Sequence, residues 1–191
     1  SMGKVEITLA AVVDRLEEEA VHHRPLDVAG LNAFLERQEG RLVPGARIRV
    51  SDAQGLVMLG QGVVPGKGSW AERGYFAALR DKPEAATLVS NPVLGQIAKV
   101  PVIPVSRRYR DAGGAFGGVV SIALPVSYVH EQLAKLEYGA HGNVILRDAD
   151  LKLITRHPAL QQPEGQLGAP IYNKTLIAGI EAGRSSFSYH T

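Results

Sequence analysis

The stretch from residue 67 to residue 111 gathers the side chains best suited to chemistry. It carries eight Lys or Arg (Lys67, Arg73, Arg80, Lys82, Lys99, Arg107, Arg108, Arg110) against four acids (Glu72, Asp81, Glu84, Asp111). Trp70, Tyr75 and Phe76 stand among them and offer apolar walls, with a polar handle on the first two. A guanidinium grips a carboxylate through two parallel hydrogen bonds, and partial loss of water strengthens that contact. The combination predicts recognition of a small anion, such as an organic acid. Arg73 and Arg107 are its charged contacts, Trp70, Tyr75 and Phe76 its walls, and Ser90 and Ser121 complete the candidate set. A structural use of the same residues is the competing expectation. Arg73 would then pair with Glu72 or Asp81, Arg107 to Arg110 would be a solvated strand end, and Trp70 would plug a core.

Other chemistries lack their residues. With no cysteine there is no disulfide, thiolate metal site or cysteine nucleophile. Gly60, Gln61 and Gly62 begin a dinucleotide-loop spacing, but Pro65 occupies the third glycine position. A phosphate loop fails as well, because Gln61 replaces its first glycine and Gly68 separates Lys67 from Ser69. His130-Glu131 opens a zinc-protease pattern that Ala134 breaks, and no Gly-x-Ser-x-Gly elbow exists. The remaining histidines are scattered, with His22-His23 at a helix end. No catalytic residue, metal site or cofactor is expected, and a small hydrolase or transferase ranks last among the functions considered.

The elements that must position these residues follow from periodicity. Val5, Leu9, Val12, Leu16 and Ala20 recur every three or four residues and predict an N-terminal helix, with Asp14, Arg15, Glu17, Glu18 and Glu19 on its polar side. Pro25 stops it. Asp27 caps a second helix with Leu31, Phe34 and Leu35 inward, ended by Gly40 and Pro44-Gly45. Residues 46–51 and 56–59 then alternate as two strands of a hairpin around a 52–55 turn. A Gly/Pro-rich loop over 60–72 leads to a short helix over 73–80. Strands are predicted over 87–90, 100–107 and 116–124, the second at an edge or bulge because of Pro101 and Pro104. A helix over 126–138, carrying Val129, Leu133 and Leu136, a hairpin of 144–147 with 151–154, a helix over 171–181 and a strand over 185–189 complete the chain.

At 191 residues, with 45% hydrophobic and 21% charged side chains, the chain can bury a sizeable core as one domain or one plus a satellite. A net charge of +2 without a Lys/Arg run argues against nucleic acid. No apolar stretch reaches the roughly 18 residues of a membrane helix, and no signal peptide is visible. Ser1 ahead of Met2 reads as a cloning remnant, so membrane anchors of a longer parent are expected to lie outside this piece.

The centre of the chain resembles the double Cache sensor family. Arg73-Gly74-Tyr75-Phe76 is similar to its Arg-x-Tyr-Phe signature. Ser90-Asn91-Pro92-Val93, Val105-Ser106-Arg107-Arg108 and the run Gly114 to Val120 follow in the family's order. Gly142 to Arg147, then Arg156 and Pro158, resemble the opening of its membrane-proximal half. The likeness covers roughly residues 46–160. It implies an α+β fold: a PAS-like antiparallel sheet on a long N-terminal helix, with a second, incomplete PAS-like unit at the C-terminus. The corresponding divisions are a stalk and second helix over 4–40, a membrane-distal domain over 41–138 and a partial proximal domain over 139–191. The resemblance also implies a periplasmic or extracytoplasmic place between two helices of the inner membrane. The distal unit would hold a small ligand, and the output would be a histidine kinase, diguanylate cyclase or chemotaxis module.

Two departures bear on the ligand. The amino-acid-binding branch has Arg-x-Trp-Tyr where Tyr75 and Phe76 stand, and an Asp where Ala123 is placed, so an α-ammonium group has no evident partner. Asp150-Leu151 replaces the usual Asp-Gly turn of the proximal hairpin. A cytoplasmic PAS- or GAF-type regulatory domain and a ligand-free dimerisation module are the rival functions. The N-terminal stripe is too short for a sustained heptad repeat and is expected to pack on its own sheet, with a homodimer along the helix as an addition.

Overall fold

The computed structural model describes residues 2–22, 25–83, 87–95, 99–137, 139 and 142–185. They divide into two compact units, residues 1–128 and 129–191.

In the first unit, α1 (Met2–His22) and α2 (Val28–Glu39) precede β1 (Arg47–Ser51) and β2 (Val57–Leu59). Then come α3 (Gly74–Asp81), β3 (Leu88–Val89), β4 (Val93–Leu94), β5 (Pro101–Arg110) and β6 (Phe116–Pro125). The sheet is antiparallel in the order β2-β1-β6-β5-β3, with β4 also on β5. This is an α+β fold with an N-terminal helix on an antiparallel sheet.

Each helix follows from its apolar stripe. Val5, Leu9, Val12 and Leu16 are buried on α1, which packs on β5 and β6. Removing such a side chain from water contributes about 1.5–3 kcal/mol. Glu19, expected on the polar side, is buried instead and accepts from Arg15 one turn earlier. The Asp27 carboxylate accepts from Gly30 N at 2.9 Å and caps α2, whose Leu31 and Leu35 are buried, while Phe34 is only half-buried.

Register assigns every strand residue to a face, because residues directly opposite on neighbouring strands share one. Ile48, Ile122 and Val105 form one such row and Val50, Val120 and Arg107 another; this face carries α1. Arg49, Ser121 and Ser106 form a row on the opposite face, as do Arg47, Ala123 and Pro104. On that face α3 and the loop before it contribute Trp70, Tyr75, Phe76 and Leu79 to a core with Val57 and Val119.

The prolines of β5 had suggested an edge or a bulge; β5 instead lies between β6 and the fragments β3 and β4, and its irregularity against β6 is at Tyr109/Arg110, away from both prolines. Ser90 N donates to Pro104 O at 2.9 Å. A residue's nitrogen and carbonyl point to the same neighbour in a strand, so the hydrogen that Pro104 lacks falls on this interrupted side and costs β6 nothing. At Gly118 (φ +143°) a Cβ would meet Ser51 O at 2.1 Å, so no other residue fits there. Opposite that bend, Tyr109 Oη donates to Ser51 O at 2.8 Å.

α4 covers Val126–Leu133 and stops short of the predicted helix. Its last turn tightens, with Lys135 N donating to Gln132 O and Leu136 N to Leu133 O, and Leu136 is exposed. Tyr138 lies outside the described residues.

The second unit holds the hairpin β7 (Val144–Arg147) and β8 (Leu153–His157), then α5 (Lys174–Glu181). β8 begins two residues later than predicted, because the turn extends to Lys152, whose carbonyl accepts from Asp148 N. Leu151 adopts φ +61° there, the backbone state a glycine would supply more easily. α5 starts three residues after its predicted beginning, at the cap Asn173, which accepts from Leu176 N. The predicted strand over 185–189 lies outside the described residues beyond Ser185.

Candidate functional site

A cavity of roughly 110 Å³ opens between the sheet face of the first unit and the loop that leads into α3. That is room for several waters or one small organic molecule. Its floor is the sheet: Arg47 and Arg49 of β1, Val102 and Pro104 of β5, Ser121 and Ala123 of β6. Its roof is Lys67, Gly68, Trp70, Arg73 and Tyr75, and its flank Val93, Leu94, Gly95 and Val100.

The roof is stitched to the hairpin through main chain. Val57 N donates to Gly68 O at 3.0 Å, and Trp70 N to Gly55 O at 2.7 Å. Trp70 and Tyr75 meet edge to face with ring centroids 5.8 Å apart, and both are nearly buried. Burial raises the Tyr75 hydroxyl above its ordinary pKa, with nearby Arg73 opposing. Tyr75 therefore serves as a neutral wall and hydrogen-bonding group, not as a charge.

On the floor, Ser106 and Ser121 share a buried hydrogen bond, Oγ to Oγ at 2.9 Å. Arg49 is largely enclosed, with its side chain 11% exposed. Its Nη1 donates to Ile48 O at 2.8 Å and to Glu39 Oε1 at 3.3 Å. Burial lowers the pKa of that guanidinium, Glu39 opposes the shift, and the like charge of Arg47 adds to it. Arg47 Nη1 donates to the Ala46 carbonyl at 2.8 Å. Among the described residues the cavity lining holds four cations, Arg47, Arg49, Lys67 and Arg73, and no acid.

Of the sequence-predicted residues, Trp70, Arg73, Tyr75 and Ser121 come together around this cavity, and three do not. Phe76 sits one position beyond Tyr75 on α3 and is buried against Phe116, with centroids 5.6 Å apart. Arg107 belongs to the other face: it is opposite Val120, and it lines an open depression beside Asp14 and Glu17 of α1. Ser90 binds Pro104 through its main chain and is not in the lining, and its hydroxyl is buried without a hydrogen-bond partner among the described residues. The pairing of Arg73 with Asp81 does not form either, since Asp81 is taken by Arg80 at 2.8 Å. Sequence reading missed Arg47 and Arg49. Their alternation with Ile48 and Val50 had marked them as one face of a strand, and that face lies under the roof instead of open water. Ala123, the residue placed where an amino-acid binder has Asp, is opposite Arg47 in the floor.

No family model matches the chain, and no curated protein matches it. Solved structures do. The extracellular domain of rpHK1S-Z16, assigned as a histidine kinase, superposes with a TM-score of 0.76 at 20% identity over 96% of this chain and 72% of that one. The isoleucine-bound sensory domain of the Campylobacter jejuni chemoreceptor Tlp3 gives 0.70 at 15% identity, over 94% and 71%. The ligand-binding domain of the Pseudomonas fluorescens chemoreceptor CtaA with L-serine gives 0.55 at 19%, over 82% and 66%. The chain thus shares the fold of extracellular sensor domains of signalling receptors, as its resemblance to double Cache domains implied. These neighbours are sensory and ligand-binding domains, not catalytic ones. Among the described residues no helix is long and apolar enough to cross a membrane, and no cluster of metal-ligating side chains occurs.

Proposed function

We propose that this chain is the extracytoplasmic ligand-sensing part of a bacterial transmembrane receptor and that its ligand is a small carboxylate held under the 60–73 loop. One observation carries the reading: a cavity with apolar walls whose lining, among the described residues, has four cations and no acid. An anion entering it exchanges water for guanidinium and ammonium contacts in a partly enclosed site, where such contacts are strong. Trp70, Tyr75, Val57 and Val102 bury the aliphatic part, and Arg73 adds a charged contact from the roof. Residues 4–40 act as stalk and second helix, 41–138 as the ligand-binding unit and 139–191 as the start of a membrane-proximal one.

Signalling is a population shift. The ligand stabilises one arrangement of roof and floor and moves the equilibrium by its differential affinity for the two states. Because α1 packs on the reverse of the same sheet, its position is the natural output, and a homodimer along α1 would carry it to the membrane. A thermal-shift screen of carboxylates on the wild type and on Arg73→Ala tests the site. Acids that stabilise the wild type should lose at least half of their effect in the variant. Equal stabilisation of both excludes Arg73, and no stabilisation by any acid refutes the carboxylate reading.

A further inference from the structure

The charges under the roof are not equivalent, and the difference names a class of ligand. Arg49 is held from three sides. Glu39, the last residue of α2, accepts from Ile48 N at 2.6 Å and from Arg49 Nη1 at 3.3 Å, and its own side chain is only 7% exposed. Gly60 covers the Arg49 stem: a Cβ there would come within 2.6 Å of Arg49 Cδ and 2.4 Å of Ile48 O. Arg47 stands beside it on the same floor. Two guanidiniums against one carboxylate leave this floor one positive charge in excess, which a single carboxylate would balance.

We infer that Arg49, positioned by Glu39, anchors the ligand's carboxylate, and that the site selects acids without an ammonium group. The inference deepens the carboxylate reading above and rests on it. An α-amino acid would bring its ammonium among Arg47, Arg49, Lys67 and Arg73, with no acid among the described lining residues to receive it. Glu39, the carboxylate beside this floor, is already engaged by Ile48 N and Arg49. Ala123, opposite Arg47, offers a methyl group where a carboxylate would be needed. A desolvated cation without a partner is strongly disfavoured. Specificity then comes from repulsion of the wrong ligand as much as from attraction of the right one.

Trp70 is the only tryptophan and lines the cavity, so its fluorescence reports occupancy. Titrations, checked by calorimetry, compare isovalerate with leucine, propionate with alanine and succinate with aspartate. In at least one pair the acid without the amino group should bind at least tenfold tighter. Replacing both Glu39→Gln and Arg49→Gln leaves no orphaned charge and should weaken that acid at least tenfold. Arg107→Gln, on the other face, should change it less than twofold. Glu39→Gln alone keeps an acceptor for Ile48 N while removing the opposing charge, and should tighten the acid several-fold. The inference is overturned, with the sensing reading intact, if amino acids bind as well as their partners with a Trp70 response. It is likewise overturned if the double variant keeps its affinity or Glu39→Gln weakens binding. If none of the six compounds changes Trp70 emission or releases heat, both readings fall together.

Discussion

Neighbouring residues in one motif do different work here. Tyr75 borders the cavity, whereas Phe76, next to it, is core; Ser106 lies buried on the sheet face beneath the cavity, whereas Arg107, next to it, is on the face of α1. Gly60 shows how finely the floor is set. Its φ of +124° and the carbonyl of Ile48 leave no room for a Cβ. Gly60→Ala should cost about 2 kcal/mol or more in a denaturant titration, and it should also weaken the ligand by displacing Arg49. The buried tyrosines predict an alkaline limb. Tyr75 and Tyr109 both have pKa values raised by burial. A raised folded-state value favours the neutral form, so the stability is intact below the ordinary tyrosine value of about 10 and declines as pH rises above it. Melting temperature should fall above roughly pH 10, and Tyr75→Phe should fall less steeply than wild type. An identical alkaline slope in the two proteins would refute the attribution.

At the scale of elements, the sequence announced most of what forms. The stripe of α1, the Asp27 cap, the first hairpin and the Tyr75 helix are all local signals, and all appear within one or two residues of where periodicity put them. What sequence could not show was the identity of the second surface on each strand. Arg47 and Arg49 alternate with Ile48 and Val50 as solvent-facing residues would, and only the long-range roof makes their face an interior. Arg107 was misplaced for the converse reason: composition picked the basic cluster, but parity along β5 divides it between two faces. β4 escaped notice because two residues carry no period. The element-scale prediction concerns the Asp27 cap. Asp27→Ala should destabilise the protein by about 1 kcal/mol, read as a lower denaturation midpoint, and should fray the first turn of α2, the end opposite Glu39. An unchanged midpoint would mean that tertiary packing alone holds α2.

For the molecule as a whole, occupancy should be visible as stability. A ligand at about 100 times its Kd adds about 2.7 kcal/mol to the state that binds it. For a chain of this size that corresponds to roughly 5–10 °C in Tm, measurable by calorimetry. Two transitions, of which only one moves, are expected if the two compact units melt separately, and the moving one should belong to residues 1–128. A ligand that shifted only the other transition would place its site outside the cavity described above.

The side of β5 away from β6 is covered by two fragments of two residues each, β3 and β4, and the second of them borders the cavity. Leu94 and Val100 line the cavity there and are also solvent-exposed. The roof, by contrast, is sewn to the hairpin at two main-chain points. For the proposed ligand, departure on this side would cost the breaking of a few peripheral hydrogen bonds, not the lifting of a helix from its core. On the proposed reading the off-rate would be set by fraying at a short strand, and backbone amides of Val93 and Leu94 should exchange with deuterium far sooner than those of β6. If the proposed sensing role holds, a latch of that kind would follow falling concentrations as readily as rising ones.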